Sequence, residues 1–261
     1  MYTIAHRGYS SKYKDNSEEA FLKALEYPIE MIETDLRMNR NREWVLYHDS
    51  VVKLPSELSM EKVEKDEYWI SKLSTTQCLF LKILTLKYFL DLMLKYAPPN
   101  FKLYFDIKGH PHREDLNLLI YILSRHSFTQ SGLNVYLASF NYYVVKELID
   151  LRIPSMFSPF QYNIGRIGDF YPPYDENIYE LDFISSDQDQ VDGKYINRIR
   201  KLNNNLKIFV YTINDSLSLE YFQFQLEVDG ILSDEISIFF PPLPLPPISS
   251  SPPPSPAKSV D

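Results

Sequence analysis

The chain predicts an α/β fold, a (β/α)8 TIM barrel with a small β-hairpin after strand 2. Three observations carry that reading: strand-like runs alternate with helix-like runs along the chain, eight barrel strands can be counted, and 261 residues suit one such barrel, about 250 residues in size. The eight runs are 2–7, 31–38, 102–108, 134–140, 154–157, 183–186, 207–213 and 230–233. A further run, 43–48, is expected to return antiparallel to 31–38 through a two-residue turn at Asn41-Arg42. That turn requires a positive φ at Arg42 and sets Asp35 opposite His48. Between the strands, Asn16 followed by Glu19 reads as a capping box opening a helix to about Leu25. Thr85 caps another helix, whose Leu86, Phe89, Leu90, Met93 and Leu94 share one apolar face before Pro98-Pro99 ends it. Further helices fit 114–126, 142–151 and 194–202.

Two segments fall outside the repeat. Residues 158–180 hold Gly165, Gly168, Pro172 and Pro173 among aromatic residues and are too long for an ordinary connector, so they read as a lid or specificity loop. Residues 241–261 hold nine of the eighteen prolines, mixed with serine, and read as an extended, unpacked tail. The expected organisation is one barrel domain over 1–240 and a disordered tail over 241–261. An SH3- or WW-type partner for the tail is the alternative to a bare terminus.

Composition narrows the function classes. Apolar residues make up 44% and charged residues 24%, as in a soluble globular protein. A net charge of −8 without a dense Lys/Arg run disfavours a nucleic-acid binder, yet leaves room for a local basic pocket. Cys78 is the only cysteine, which excludes an intramolecular disulfide and a Cys-rich zinc site; it is expected in the core. The apolar stretch 78–96 is interrupted by Lys82, Lys87, Asp91 and Lys95, and reads as a loop followed by a core helix rather than a membrane span. With the first strand expected at Tyr2 leaving no room for a signal peptide, an intracellular, cytoplasmic protein is expected.

The chemistry concentrates near the N-terminus. His6-Arg7-Gly8 closes the first strand, and Glu33-Thr34-Asp35 is followed by His48-Asp49, with His48 thirteen residues after Asp35. Two imidazoles, two carboxylates and a guanidinium suit metal-assisted cleavage of a phosphate ester. Carboxylates hold a hard cation, and imidazoles move protons near neutral pH. Barrel chemistry sits at the carboxyl ends of strands, where His6, Glu33, Asp35, Asp106 and Lys108 all fall. Lys108 stands two residues after Asp106 and so on the same strand face, a natural phosphate partner with Arg7. His110-Pro111-His112 is expected to flank a helix rather than to bind metal.

These residues resemble a known family. Ala5-His6-Arg7-Gly8, Asp15-Asn16-Ser17 with Ala20-Phe21, Ile32-Glu33-Thr34-Asp35 and Val45-Leu46-Tyr47-His48-Asp49 are similar, in order and spacing, to glycerophosphodiester phosphodiesterases. Phe105-Asp106-Ile107-Lys108, Ala138-Ser139-Phe140, 210–214 and 228–234 extend the resemblance to about residue 235. It implies a phosphodiesterase-type barrel that cleaves glycerophosphodiesters to glycerol 3-phosphate and an alcohol with one divalent cation, Mg²⁺ or Ca²⁺. By position it makes His6 and His48 the general acid/base pair, and Glu33, Asp35 and Asp106 the metal ligands. Arg7 and Lys108 would face the phosphate, and Tyr211, standing where tryptophan is common, would line the substrate. Asp106 and Asp15 replace the glutamates usual at their positions. Two other readings stay open: a phospholipase D-like enzyme of the same barrel type acting on lysophospholipids or sphingolipids, with the aromatic 160–174 segment lining an acyl channel, and a catalytically weakened barrel that binds a ligand.

Overall fold

The computed structural model describes residues 1–53, 67–125, 134–155, 160–168 and 178–240. The strands are β1 (Tyr2–His6), β2 (Met31–Met38), β3 (Trp44–Leu46), β4 (Val51–Lys53), β5 (Glu67–Trp69), β6 (Lys102–Ile107), β7 (Asn134–Ser139), β8 (Tyr162–Ile167), β9 (Phe183–Asp187), β10 (Lys207–Tyr211) and β11 (Gly230–Ser233). The helices are α1 (Glu18–Leu25), α2 (Thr75–Phe80), α3 (Leu86–Tyr96), α4 (Arg113–Arg125), α5 (Tyr142–Ser155), α6 (Gly193–Leu202) and α7 (Ser216–Glu220). Parallel pairing runs β1-β2-β6-β7-β8-β9-β10-β11 and closes through β11 back onto β1, so the expected (β/α)8 barrel forms.

Strand alternation builds the interior. Side chains at i and i+2 share a face, so an inward residue near the floor is followed by one nearer the mouth. Ile4 thus precedes His6, Met31 precedes Glu33 and Asp35, Tyr104 precedes Asp106 and Lys108, and Phe209 precedes Tyr211. The lower layer is an apolar cluster that includes Ile4, Met31, Tyr104, Tyr136, Phe183 and Phe209. Its rings meet edge to face at Phe183, 5.3 Å from Tyr104 and 5.4 Å from Tyr136, and tilted around Phe209. Outward neighbours such as Ala5, Ile32, Leu103 and Phe105 pack instead against the helices, with Phe21, Phe89 and Leu90.

The fifth barrel strand corrects the sequence reading. α5 continues to Ser155, residues 156–159 lie outside the described residues, and the fifth barrel strand is Tyr162–Ile167, inside the segment read as a lid. Gly165 explains the composition there. A Cβ on it would come 2.3 Å from the Phe183 ring, so the glycine clears space for a core aromatic rather than loosening a loop. Tyr162 and Ile164 are buried within that strand, so residues 162–167 of the segment proposed to line an acyl channel belong to the barrel wall. Residues 169–177 of that loop and the tail 241–261 lie outside the described residues.

The hairpin after β2 differs by one residue. Pairs Leu36–Leu46, Arg37–Val45 and Met38–Trp44 place Tyr47, not His48, against Asp35, and Tyr47 N–H donates to the Asp35 carbonyl at 3.2 Å. The connection holds three residues: Arg42 N–H donates to Asn39 O, Asn39 and Glu43 face each other, and Arg42 has φ 58°. A three-residue loop ending in a left-handed residue is the next commonest hairpin solution after two. The antiparallel pair β4–β5, a short 3-10 turn and α2 follow, closing a small satellite core of Val45, Val52, Ile70, Leu73, Cys78 and Ile83. Nothing in the residue pattern anticipated β4–β5. Asn16 is not the cap of α1; Ser17 accepts from Ala20 N–H instead, while Thr85 caps α3 as expected. No helix among the described residues is long and apolar enough to cross a membrane.

Candidate active site

Strand ends converge at the barrel mouth. Glu33 and Asp35 leave β2, and Asp106 leaves the adjacent β6 at the register that pairs it with Asp35. All three are buried, and one carboxylate oxygen from each lies within 4.8 Å of the others. Lys108 Nζ lies 2.5 Å from Asp106 Oδ2 and 3.1 Å from Asp35 Oδ1. Arg7 Nε lies 3.0 Å from Asp35 Oδ2, which also accepts from Asn16 Nδ2 at 2.8 Å. Asn16 takes a φ of 54°, and its Oδ1 accepts from Thr34 and from Asp35 N–H. Its side chain is therefore a buried clamp on the second strand.

Gly8 allows the turn that brings Arg7 over this cluster. With φ +83° and the place of a Cβ only 2.7 Å from the Ala20 backbone, no other residue fits. Arg7 itself has φ 57°, and its N–H donates to the Glu33 carbonyl and to Glu33 Oε2.

Packing three acids together sets their protonation apart. Burial, reinforced by Asp35, holds the Glu33 carboxyl well above its ordinary range. Burial also pushes Asp106 up to about 6, against the pull of Lys108. At Asp35 burial is outweighed by Lys108, Arg7 and the Asn16 hydrogen bond, and its carboxyl stays below the usual range. Asp106 Oδ1 is buried without a hydrogen-bond partner among the described residues. An orphaned acceptor beside two other carboxylates fits a hard, oxygen-seeking cation, so the donor set accommodates a divalent ion.

The two histidines flank the carboxylates. His6 Nδ1 lies 2.7 Å from Asp234 Oδ1, and its Nε2 is 3.8 Å from Glu33 Oε2. Asp234 also accepts from Ser10 and Asn214, and these hydrogen bonds together with His6 overcome its burial and keep it well below the usual carboxylate range. His48 Nδ1 pairs with Asp49 at 2.8 Å, and burial lowers its pKa, favouring the neutral ring. Arg37 donates from Nε and Nη2 to the His48 carbonyl at 2.9 and 2.7 Å. This clamp brings His48 to the mouth even though the hairpin register leaves Tyr47 opposite Asp35.

A cavity of about 240 Å³ joins these groups, lined by His6, Arg7, Glu33, His48, Asp106 and Lys108. Tyr104, Phe140, Ile167 and Tyr211 form its apolar walls, with Ser185 and Asp187 on the side of β9. Lys108 Nζ also lies 5.0 Å above the Phe140 ring. Every residue given a site role from the sequence is thus at this mouth, Asp35 through its contacts rather than on the cavity wall. Three residues that serve the site had been given no role: Asp234 and Asn214, which close the motifs 228–234 and 210–214, and Arg37. His110 and His112 gather no metal-binding partners among the described residues. His110 meets Asn141, while the His112 carbonyl accepts from Asp115 and Leu116 N–H at the start of α4.

Comparison with known proteins places this mouth in a family context. The sequence pattern of the Glycerophosphoryl diester phosphodiesterase family matches residues 6–109, the segment that supplies every residue of the acidic cluster and both histidines. YhdW of Bacillus subtilis strain 168, provisionally named a glycerophosphodiester phosphodiesterase, is 25% identical over 246 residues, covering 90% of this chain and 94% of that protein. The uncharacterised protein MG293 of Mycoplasma genitalium is 33% identical over 101 residues, 35% of this chain and 39% of its own length. Among solved structures, a phosphodiesterase of Oleispira antarctica in complex with the product sn-glycerol-3-phosphate aligns with a TM-score of 0.70 at 19% identity, covering 92% of this chain and 95% of that one. The glycerophosphodiester phosphodiesterase of Thermotoga maritima aligns with a TM-score of 0.63 at 22% identity, over 92% and 96%.

Proposed function

We propose that this barrel, whose resemblance to the glycerophosphodiester phosphodiesterase family extends from the family pattern over residues 6–109 to its fold, hydrolyses glycerophosphodiesters to glycerol 3-phosphate and an alcohol with one divalent cation. The observation that carries the reading is the convergence of Glu33, Asp35 and Asp106 in one cavity mouth between two histidines. Glu33, Asp35 and Asp106 would hold Mg²⁺ or Ca²⁺. When bound, that ion neutralises phosphate charge and lowers the pKa of an attacking hydroxyl. Arg7 and Lys108 orient the phosphate, Arg7 through directed N–H donors and Lys108 as a point charge. His48, kept neutral by burial and steadied by Arg37, takes a proton as general base. His6 exchanges its proton at Nε2, because Asp234 holds Nδ1 as the N–H, and Nε2 delivers it to the departing alkoxide. Tyr211 and Phe140 wall the carbon chain of the substrate. A small-molecule substrate and a cytoplasmic setting belong to the same proposal.

The test is product release. Glycerophosphodiesters incubated with Mg²⁺ or Ca²⁺ should yield glycerol 3-phosphate, and a chelator should abolish it. Cation binding without product from any glycerophosphodiester would leave a binding barrel in place of an enzyme.

A further inference from the structure

A second groove of about 460 Å³ lies on the far side of Lys108, which lines both it and the catalytic cavity. The hairpin region forms one wall with Arg37, Ser50 and Trp69, and the turn after β6 forms the other with His110 and Asp115. A phosphodiester held at Lys108 has two arms. The smaller cavity takes one, and the groove is the available space for the other.

Charge in the groove is uneven. Asp115 is already neutralised, its Oδ1 by Arg42 at 2.9 Å and its Oδ2 by His112 N–H at 3.0 Å. Lys108 is held between Asp35 and Asp106. Arg37 forms no ion pair among the described residues: Nε and Nη2 serve the neutral His48 carbonyl, and Nη1 has no acceptor. Nη1 lies on the groove wall, 3.7 Å from where a Cβ of Gly109 would stand. The acids that attract Arg37 at longer range, Asp35, Asp106 and Asp49, are engaged by Lys108, Arg7 and His48. The surplus is one guanidinium edge, a geometry suited to a carboxylate or phosphate oxygen.

We propose that this groove is the subsite for the alcohol arm of the substrate, and that Arg37 Nη1 selects headgroups bearing an anionic oxygen group over cationic or neutral ones. The assignment rests on the phosphodiesterase reading above. Trp69 stands exposed on the same wall and offers its face to the headgroup carbon chain.

Glycerophosphoserine and glycerophosphoethanolamine differ by one carboxylate, and glycerophosphoinositol differs from its 4-phosphate by one phosphate. The expected kcat/KM ratio favours the anionic member of each pair by about 10-fold, the scale of one charge-assisted hydrogen bond. Arg37→Gln should bring both ratios toward one. Ratios cancel any displacement of His48 in the variant, so a general loss of turnover does not mimic the effect. A carboxylate preference without a phosphate preference, or the reverse, tells which group the groove takes. Ratios near one in the wild type, or unchanged in Arg37→Gln, would overturn the proposal. Binding read from tryptophan fluorescence under chelation separates the two levels of claim. The protein has two tryptophans, Trp44 buried and Trp69 exposed in the groove. A change on adding glycerophosphoserine that Trp69→Phe removes supports the groove even if no diester is cleaved, and its absence in the folded wild type counts against it.

Discussion

The mouth and the floor of the barrel are built from the same strands, yet their polar groups are treated differently. On the floor Lys207 Nζ reaches the Tyr136 and Tyr2 hydroxyls at 3.2 and 3.4 Å and lies 5.3 Å over the Tyr2 ring, beneath a layer of interlocked aromatics. That charge and those two hydroxyls end on partners supplied by the chain. At the mouth three carboxylates crowd together, and Asp35 Oδ1 and Asp106 Oδ1 are buried without a hydrogen-bond partner among the described residues. Two residues along a strand separate stabilising architecture from groups held ready for a ligand, which argues that the mouth is kept at some cost to stability.

Substitutions at the two levels should part company. His48→Ala, and separately His6→Ala, should lower turnover by about 10²- to 10⁴-fold with little change in melting temperature. Retained turnover in either folded variant removes that histidine from the reaction. Phe209→Ala should do the opposite, costing about 3–5 kcal/mol of stability by emptying the floor layer while leaving cation affinity intact. Thermal denaturation and calorimetric cation titration on the same samples test the separation. An equal loss in both measurements would show that floor and mouth are one energetic unit.

Asp106→Asn sharpens the contrast further. Cation affinity should fall by at least about 10-fold, the scale that losing an outer partner of a metal ligand already produces. The cation-free protein should melt higher, because burial opposes the Asp106 charge. Asp106→Glu should retain or improve affinity. The smallest expected effect is with pH. The Asp106 carboxyl titrates at about 6, so cation affinity should decline as pH falls through 6 and a proton takes the ion's place. For the cation-free fold the sign reverses: the folded carboxyl binds its proton more tightly than the unfolded one, so Asp106 costs stability as pH rises through the same window. Titrations at pH 5 and 7.5, with and without cation, measure both slopes.

Much of this was legible before any coordinates. Glu33 and Asp35 advertise themselves as two acids on one strand face, and Asp106 with Lys108 repeats the pattern, because the period of two fixes which side chains turn inward together. What escaped needed tertiary knowledge. β8 carries Asn163, Gly165 and Arg166, a composition that reads as loop until Phe183 is seen occupying the space a Cβ would fill. Asn16 imitates a helix cap, and only the neighbouring strand shows that its amide serves Asp35. The hairpin slipped by one residue because loop length, not strand composition, sets register there. Arg37 gave no signal at all, since its acceptor is a main-chain carbonyl.

The His6–Asp234 contact spans 228 residues of sequence and lies where β11 pairs with β1. The histidine proposed to transfer the proton, in the first strand, is therefore aligned by the last, across the seam that closes the cylinder. On the proposed mechanism, competence would arrive with ring closure: a ribosome-bound chain that has displayed Glu33, Asp35 and Asp106 still lacks the group that steadies its first histidine. Cleavage activity would in that sense be a readout of completed topology, rising only when the two ends of the barrel have met.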